Sequence, residues 1–143
     1  MTVARILARK GRDVTTTQPH RTLKEAADLL LARNIGAVVV ADVQGTVLGI
    51  LSERDIVRAI SRRGVVALND AVSTHMTSKV ITAAEEDTVH AMVEKMNDGH
   101  FRHLPVVKNG RLAGIISIGD AVKFRIEEME HEQSAMREYI ASV

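Results

Sequence analysis

Cysteine and tryptophan are absent from this chain of 143 residues, and its aromatic residues are limited to Phe101, Phe124 and Tyr139. The absence of cysteine excludes disulfides, thiolate metal sites and cysteine nucleophiles. The shortage of aromatic rings argues against binding of single-stranded nucleic acid, which depends on base stacking. Any flat ring that binds to this protein would therefore have to lie between aliphatic side chains.

The chain also lacks a strong charge of one sign and a long apolar run. Its 19 basic and 18 acidic residues give a net charge of +1, whereas proteins that bind the phosphate backbone need a concentrated positive surface. No apolar run approaches the ~18 residues of a membrane-spanning helix. The first residues, MTVARILARKGRD, are too short and too charged for a signal peptide. We therefore expect a cytoplasmic protein that binds neither membranes nor nucleic acid.

What the sequence does contain is an internal repeat. The stretch GILSERDIV at 49–57 returns 65 positions later as GIISIGDAV at 114–122. With a one-residue gap in the intervening turn, TLKEAADLLLARN at 22–34 aligns with TVHAMVEKMNDGH at 88–100. Repeats of this kind indicate that the fold contains two similar structural units.

Each unit predicts the element order β-α-β-β-α, and hence an α/β (α+β) fold with helices covering one face of each sheet. A short β-rich start, Val14 to Thr17 or Val80 to Ala83, precedes a helix with apolar residues at helical spacing. A β-hairpin with a glycine turn and a second helix follow. We expect the first unit, with an N-terminal helix and a linker, in residues 1–72. The second unit, with a long C-terminal helix, would occupy residues 73–143.

The repeated motif, GhhSxxD (h, aliphatic), has two interpretations. A serine followed three residues later by an acidic residue, where a strand meets a helix, is typical of a capping box. The same helix end also suits a phosphate group, and an aspartate one turn further can accept two hydrogen bonds from a ribose diol. The residues alone leave both interpretations open, since duplication of a unit would also duplicate a cap.

In combination, the repeated segments resemble a tandem pair of CBS domains, called a Bateman module, of the stand-alone bacterial type. The resemblance rests on GILSERD, GIISIGD, RHLPVV at 102–107 and NGRLAGIIS at 109–117, and it covers nearly the whole chain. It implies two units related by a pseudo-twofold axis, clefts between them that bind adenine nucleotides, and a disc-like homodimer. AMP or NAD (or NADH) is the expected ligand, with ATP and ADP as further candidates. The resemblance implies a regulatory protein without a catalytic cofactor, which signals to an effector protein by conformational change.

The resemblance also implies which residues form the nucleotide sites. Asp55 and Asp120 would bind the ribose hydroxyls, with Ser52 and Ser117 beside the ribose or phosphate. The other candidates line the nucleoside or adenine or, for the two basic residues, reach a phosphate: Thr16, Ala37, Val38, Arg54, Thr82, His103, Leu104, Pro105, Ile118 and Lys123. Because RHLPVV matches the family better than IGAVVV, we expect Asp120 to mark the better site.

The C-terminal stretch, residues 120–141, predicts a long helix with a heptad seam. Its apolar positions recur at spacings of 4, 3, 7 and 4, at Val122, Ile126, Met129, Met136 and Ile140. Gln133 stands at the interrupting position. Such a helix either lies on its own unit or packs on a partner subunit. We favour the partner, with Val3, Ile6 and Leu7 joining that contact.

An alternative function is a structural dimerisation or interaction module without a nucleotide, in which the serine–aspartate pairs are only caps. A metal site at His100 and His103 is disfavoured, because this HxxH lacks a carboxylate partner at helical spacing. The chain has no G-x-G-x-x-G fingerprint and no nucleophile elbow. We therefore expect neither a metal site nor an enzyme.

Overall fold

The computed structural model describes residues 2–142 as two small sheets with six helices around them. The helices are α1 (Val3–Lys10), α2 (Leu23–Arg33), α3 (Glu53–Arg63), α4 (Val72–His75), α5 (Val89–Gly99) and α6 (Ile118–Ala141). The strands are β1 (Thr16–Thr17), β2 (Ala37–Ala41), β3 (Val47–Ser52), β4 (His103–Lys108) and β5 (Arg111–Ser117). One sheet has the order β1-β2-β3 and the other pairs β4 with β5. The predicted fold class, with its long C-terminal helix, is confirmed.

The two β-hairpins share the same irregularity, a register shift at an equivalent position. The ladder of β2 and β3 shifts register between Val40 and Ala41, and that of β4 and β5 shifts between Val106 and Val107, 66 positions later. The helix before each hairpin ends at a residue with left-handed backbone, Asn34 in one unit and His100 in the other. These correspondences place the two copies of the motif at equivalent corners of two similar units.

The first strand of the second unit differs from its prediction. Thr16 and Thr17 pair in parallel with β2, but of Val80 to Ala83 only Ala83 pairs, in an isolated bridge to Val106. The reason lies in the partner strand. In the first unit the Val39 N–H donates to the Thr15 carbonyl at 3.4 Å, whereas the equivalent residue of the second unit is Pro105, which has no N–H to donate. The predicted strand is therefore wrong in extent.

Each unit has its own core, and each core is completed by a helix that precedes the other unit. Val3, Ile6 and Leu7 of α1 are buried in the core of the second unit, whereas Val72 of α4 and the following Met76 pack in the core of the first. The predicted contact of α1 with a partner subunit is therefore wrong. The division of the chain between residues 72 and 73 stays a prediction.

We call the two segments that complete the core of the other unit, α1 and the stretch from α4 to Thr77, the exchanged segments. The glycine of each motif copy is where an exchanged segment contacts the hairpin. A Cβ on Gly49 would lie 2.5 Å from Met76 Sδ and 2.9 Å from the Thr77 carbonyl oxygen. A Cβ on Gly114 would lie 2.7 Å from Leu7 Cδ2. Both glycines thus permit a close approach that any larger residue would block, which accounts for their place in the repeated motif.

Within residues 2–142, no helix combines the length and the hydropathy needed to span a lipid bilayer.

Candidate functional site

Both copies of the motif form capping boxes at the start of a helix. At α3, the Asp55 N–H donates to Ser52 Oγ at 3.3 Å and the Ser52 N–H donates to Asp55 Oδ2 at 2.8 Å. At α6, the Asp120 N–H donates to Ser117 Oγ at 3.0 Å and the Ser117 N–H donates to Asp120 Oδ2 at 2.9 Å. The capping interpretation is confirmed, and one carboxylate oxygen of each aspartate is engaged in it.

These caps leave few main-chain donors for a phosphate at either helix end. The Glu53 N–H donates to the Gly36 carbonyl at 3.0 Å, and the Ile118 N–H donates to the Arg102 carbonyl at 2.9 Å. Two of the first three amides of each helix are therefore already bonded within the chain. An anion bound beside these helices would depend mainly on cationic side chains.

A cleft of about 360 Å³ opens between the two units beside Asp55. Five of the sequence-predicted site residues line it: Ala37, Ser52, Arg54, Asp55 and His103. The rest of the lining comes from Gly36, Ile50, Glu53, Arg58, Thr77, Lys79, Val80, Ile81 and residues 99–102. The volume is within the usual range for small-ligand pockets, roughly 300–1,000 Å³.

Cationic side chains outnumber carboxylates in this cleft, which we call the Asp55 cleft. Arg54, Arg58, Lys79 and Arg102 line it, against the carboxylates of Glu53 and Asp55. The Asp55 side chain is only 13% exposed, and its free oxygen Oδ1 lies 3.7 Å from an Arg58 guanidinium nitrogen. The cleft can therefore offer one carboxylate oxygen to a hydroxyl group and several cations to an anion.

His103 lies at the start of β4, on the second unit's side of the Asp55 cleft. Burial lowers the pKa of His103 below its ordinary value, although the charges of Asp120 and Glu53 act in the opposite direction. The imidazole is therefore neutral at pH 7 and can donate one hydrogen bond and accept another. Because residues of both motifs act on it, His103 lies between the two candidate sites.

The second motif has a different neighbour, the lysine at the end of α1. Lys10 Nζ donates to Asp120 Oδ2 at 2.7 Å and to the Ile115 carbonyl at 2.8 Å. Burial raises the pKa of Asp120, but the hydrogen bonds from Lys10 and from the Ser117 N–H outweigh it, so the pKa is below the usual value. Asp120 and Lys123 line a groove of about 920 Å³ between α1 and α6.

The first unit has a lysine in the position that corresponds to Lys10. Leu7 meets Gly114 and Met76 meets Gly49, so Lys79, three residues after Met76, corresponds to Lys10, three residues after Leu7. Among the ion pairs of residues 2–142, none joins Lys79 to Asp55. The two motif aspartates thus differ in whether the lysine of the exchanged segment is bound to them.

Several predicted site residues lie away from both cavities. The side chains of Val38 and Leu104 are fully buried in the two cores, because neighbouring residues in a strand point to opposite faces and Ala37 and His103 take the cleft side. Thr16, Thr82, Pro105, Ser117 and Ile118 also lie outside the lining of the two cavities. The sequence prediction missed Arg58, although it follows Asp55 by three residues in α3, and it missed Lys10 and Lys79, which are close to a motif in space rather than in sequence.

The family assignment rests on a match that covers most of the chain. A model of the CBS domain matches it twice, over residues 3–62 and 70–127. The chain belongs to the CBS-domain family. The predicted resemblance to a tandem CBS pair is confirmed, and each CBS unit contains one copy of the motif, with its capping box and its aspartate. CBS domains are in general regulatory modules rather than catalytic ones.

Solved structures of CBS-domain proteins are similar over nearly the whole chain. The CBS-domain containing protein ATU1752 from Agrobacterium tumefaciens is 51% identical, with a TM-score of 0.84, covering 87% of this chain and 92% of that one. The CBS domain protein PAE2072 from Pyrobaculum aerophilum, complexed with AMP, is 31% identical, with a TM-score of 0.75 and coverages of 84% and 89%. The CBS domain pair of MJ0100, in complex with 5′-methylthioadenosine and S-adenosyl-L-methionine, is 26% identical, with a TM-score of 0.80 and coverages of 90% and 98%.

Proposed function

We propose that this CBS pair is a regulatory module that binds an adenosine phosphate, such as AMP, in the Asp55 cleft. One observation carries the proposal. A motif carboxylate of the first unit and cationic side chains of both units line a single cleft of about 360 Å³. The related proteins PAE2072 and MJ0100 bind adenosine-containing ligands, namely AMP in the first and methylthioadenosine with S-adenosylmethionine in the second.

The charge of the cleft favours phosphorylated ligands over the sulfur-containing ones. Four cationic residues face two carboxylates, and one carboxylate oxygen of Asp55 is already committed to its cap. S-adenosylmethionine carries a sulfonium cation and methylthioadenosine carries no phosphate, so neither neutralises this surplus. AMP, ADP and ATP do, and NAD does so less because its nicotinamide ring is positively charged.

Within the proposal, the adenosine ribose binds at Asp55 and the phosphate reaches Arg54, Arg58 or Lys79. Asp55 Oδ1 accepts a ribose hydroxyl, and Ala37 and His103 lie beside the adenine. Phe101 also lines the cleft, and aliphatic and imidazole surfaces supply the rest of the contact with the adenine. Binding across both units would then change the angle between them, and an effector protein would respond to that change. The effector, the homodimer and the cytoplasmic location stay predictions.

We further propose that the Asp55 cleft binds before the Asp120 site, which reverses the order expected from RHLPVV. Lys10 already bonds to Asp120 at 2.7 Å and to the Ile115 carbonyl at 2.8 Å. Since Lys10 bonds to Oδ2, the oxygen engaged in the cap, a ribose diol at Asp120 would lie beside the ammonium group and would have to share the carboxylate with it. The Asp55 cleft has no such competitor among residues 2–142, since the nearest ion-pair partner of Asp55, Arg58, lies at 3.7 Å.

The alternative is a structural module in which Ser52 and Asp55, like Ser117 and Asp120, serve only as caps. The bonded geometry of both boxes is compatible with that role. A structural role alone, however, does not explain why four cationic side chains line a cleft at one of the caps. The two functions therefore differ in whether nucleotides bind at all.

The test is calorimetric titration of the whole chain with AMP, ADP, ATP, NAD, NADH and S-adenosylmethionine, together with thermal unfolding at millimolar ligand. AMP or another adenosine phosphate should bind with a raised Tm, by mass action on the folded state. Asp55→Asn should weaken binding about tenfold or more, since a hydrogen bond to a charged group is lost. Arg54→Gln should weaken binding of AMP more than binding of adenosine, because Arg54 is one of the proposed phosphate ligands. Arg62→Gln, at an exposed position outside both cavities, is the matched control.

Two results would contradict the proposal. If none of the six ligands binds at millimolar concentration, the structural alternative holds. If S-adenosylmethionine binds as tightly as AMP, the argument from cleft charge is wrong even though the nucleotide function stands.

A further inference from the structure

The outer face of α6 carries an apolar seam that the described residues, 2–142, leave uncovered. The seam consists of Val122, Ile126, Met129, Gln133, Met136 and Ile140, and its five apolar side chains are 47–66% exposed. The buried residues of α6, Ala121 and Phe124, pack into the core of the second unit. The seam is therefore a second apolar stripe, on the side of the helix that faces away from that core.

Heptad positions make the separation of the two faces explicit. With Ile126, Gln133 and Ile140 at position a, Val122, Met129 and Met136 fall at position d. Ala121 and Phe124 then fall at c and f, which lie opposite the a/d seam on a helix. One face of α6 is thus used for the fold of its own chain and the other has the pattern of a two-helix interface.

We propose that a second copy of this chain packs on the seam, with the two α6 helices parallel and in register. The argument is charge complementarity. In a parallel pair, a residue at g contacts the residue at e of the following heptad on the partner. Arg125 at g would face Glu130, and Glu132 at g would face Arg137. By symmetry these become four ion pairs, and every one joins opposite charges.

The antiparallel alternative fails by the same criterion. In an antiparallel pair that keeps the two seams in contact, position e of one helix faces position e of the other, and position g faces position g. Glu130 would then face Glu130, Glu132 would face Glu132, and Lys123 would face Arg137. Every charged pair would be repulsive apart from Arg125, which would face Tyr139. The charge pattern therefore selects the parallel pair, and the polar Gln133 at position a favours a single register.

This pairing makes a specific statement about the assembly. The 24-residue α6 is about 36 Å long, and a parallel pair along it brings the second unit of one chain beside the second unit of the other. The exchanged helix α1 lies on the other side of α6, since it packs against the core that contains Ala121 and Phe124. Lys123, Glu130 and Glu132, which flank the seam, also line the Asp120 groove, so the proposed interface borders the groove at these residues.

The lack of cysteine in the chain permits a direct test with single introduced cysteines. In the parallel pair, Ile140→Cys and Gln133→Cys each bring two cysteines within bridging distance, so oxidation should yield a disulfide-linked species of twice the 15.6 kDa chain mass. Glu138→Cys, at position f on the outside, is the matched control and should give little of it. In an antiparallel pair the two cysteines introduced at position 140 would be about 27 Å apart, too far to bridge.

The charge argument has its own test in sedimentation equilibrium of the whole chain. The pair Arg125→Glu and Arg137→Glu should weaken self-association about tenfold. Adding Glu130→Arg and Glu132→Arg should restore it. All these side chains are exposed, so far-UV circular dichroism and Tm should stay at the wild-type values.

Three outcomes would overturn the proposal. One is a monomer up to about 100 µM without a disulfide at position 133, which would leave the seam to a different protein. Another is a disulfide at position 133 but not at 140, which would indicate antiparallel packing. The third is a charge-reversed chain that the compensating changes do not rescue.

Discussion

At the scale of single residues, the two copies of the motif differ in what meets the aspartate. Lys10 bonds to Asp120 at 2.7 Å, whereas Arg58 lies 3.7 Å from Asp55. The two aspartates therefore have similar caps but different electrostatic neighbours. Ligand occupancy should differ between the sites for this reason, and Lys10 is the residue whose removal tests it.

Lys10→Met should strengthen AMP binding at the second site, because the ribose no longer shares the Asp120 carboxylate with the ammonium group. We expect about a tenfold gain, measured by calorimetry in an Asp55→Asn background so that only the second site is observed. Arg9→Met is the control, since Arg9 pairs with Glu127 instead. Weaker binding in Lys10→Met would show that Lys10 is a phosphate ligand and not a competitor.

His103 should make stability depend on pH in the mildly acidic range. Burial lowers its pKa in the folded state, so the unfolded chain binds the proton more readily. The contribution of neutral His103 to the free energy of unfolding is therefore fully present above the ordinary histidine pKa of about 6.5. This contribution is lost as the pH falls toward the pKa of the folded state. The Tm should fall between pH 7 and pH 5, and His103→Gln should flatten that fall. An unchanged pH profile in the variant would assign the effect to another group.

At the scale of elements, the motif glycines hold the exchanged helical segments against the hairpins. Gly49→Ala should cost about 1–3 kcal/mol through overpacking, because the new Cβ would meet the main-chain oxygen of Thr77 as well as Met76. Gly114→Ala should cost less, since its contact is the end of the Leu7 side chain. Urea unfolding measures both. Gly119→Ala, with nothing closer than 3.5 Å, is the control and should be neutral or slightly stabilising.

Sequence reasoning could predict elements whose signals are local. The hairpins and both motif capping boxes are predictable because turn glycines, alternation and S-x-x-D spacing act within about ten residues of one another, and the repeat is read directly by aligning the chain with itself. The shortened strand at Val80 to Ala83 depends on Pro105, over twenty residues away. The burial of Val3, Ile6 and Leu7 depends on a contact with β5, about one hundred residues away. The amphipathic pattern of a helix predicts which face is buried, but it does not predict which core that face packs against.

The residues of the candidate site also divide into those that belong to a local motif and those that a distant segment brings to it. Asp55, Ser52 and Arg54 belong to one local motif, and the structure brings them together with Ala37 and His103. Lys10 and Lys79 reach the motifs through the exchange of α1 and α4, so their place could not be predicted from spacing. The motif residues alone therefore cannot rank the two sites, because Lys10, the residue that most distinguishes them, lies outside the motif.

At the scale of the whole molecule, the exchange of helices makes each unit incomplete without the other. The first core contains Val72 and Met76, which precede the second unit, and the second contains Val3, Ile6 and Leu7, which precede the first. Main-chain bridges join Thr2 to Thr88 and Thr22 to Ala71. A fragment that ends between the units thus loses part of its own core and retains a helix of the other.

Two fragments, residues 1–69 and 70–143, should therefore each lack a cooperative thermal transition and regain one when mixed in equal amounts. Leu7 and Val72 are fully buried, and the loss of one such contact costs about 2–5 kcal/mol, a large share of the stability of a small domain. Circular dichroism at 222 nm follows the transition. Leu7→Ala in the first fragment should reduce complementation, whereas Leu31→Ala, at an exposed position, should not. If either fragment unfolds cooperatively alone at the Tm of the intact chain, the cores are independent and the exchanged helices are accessory.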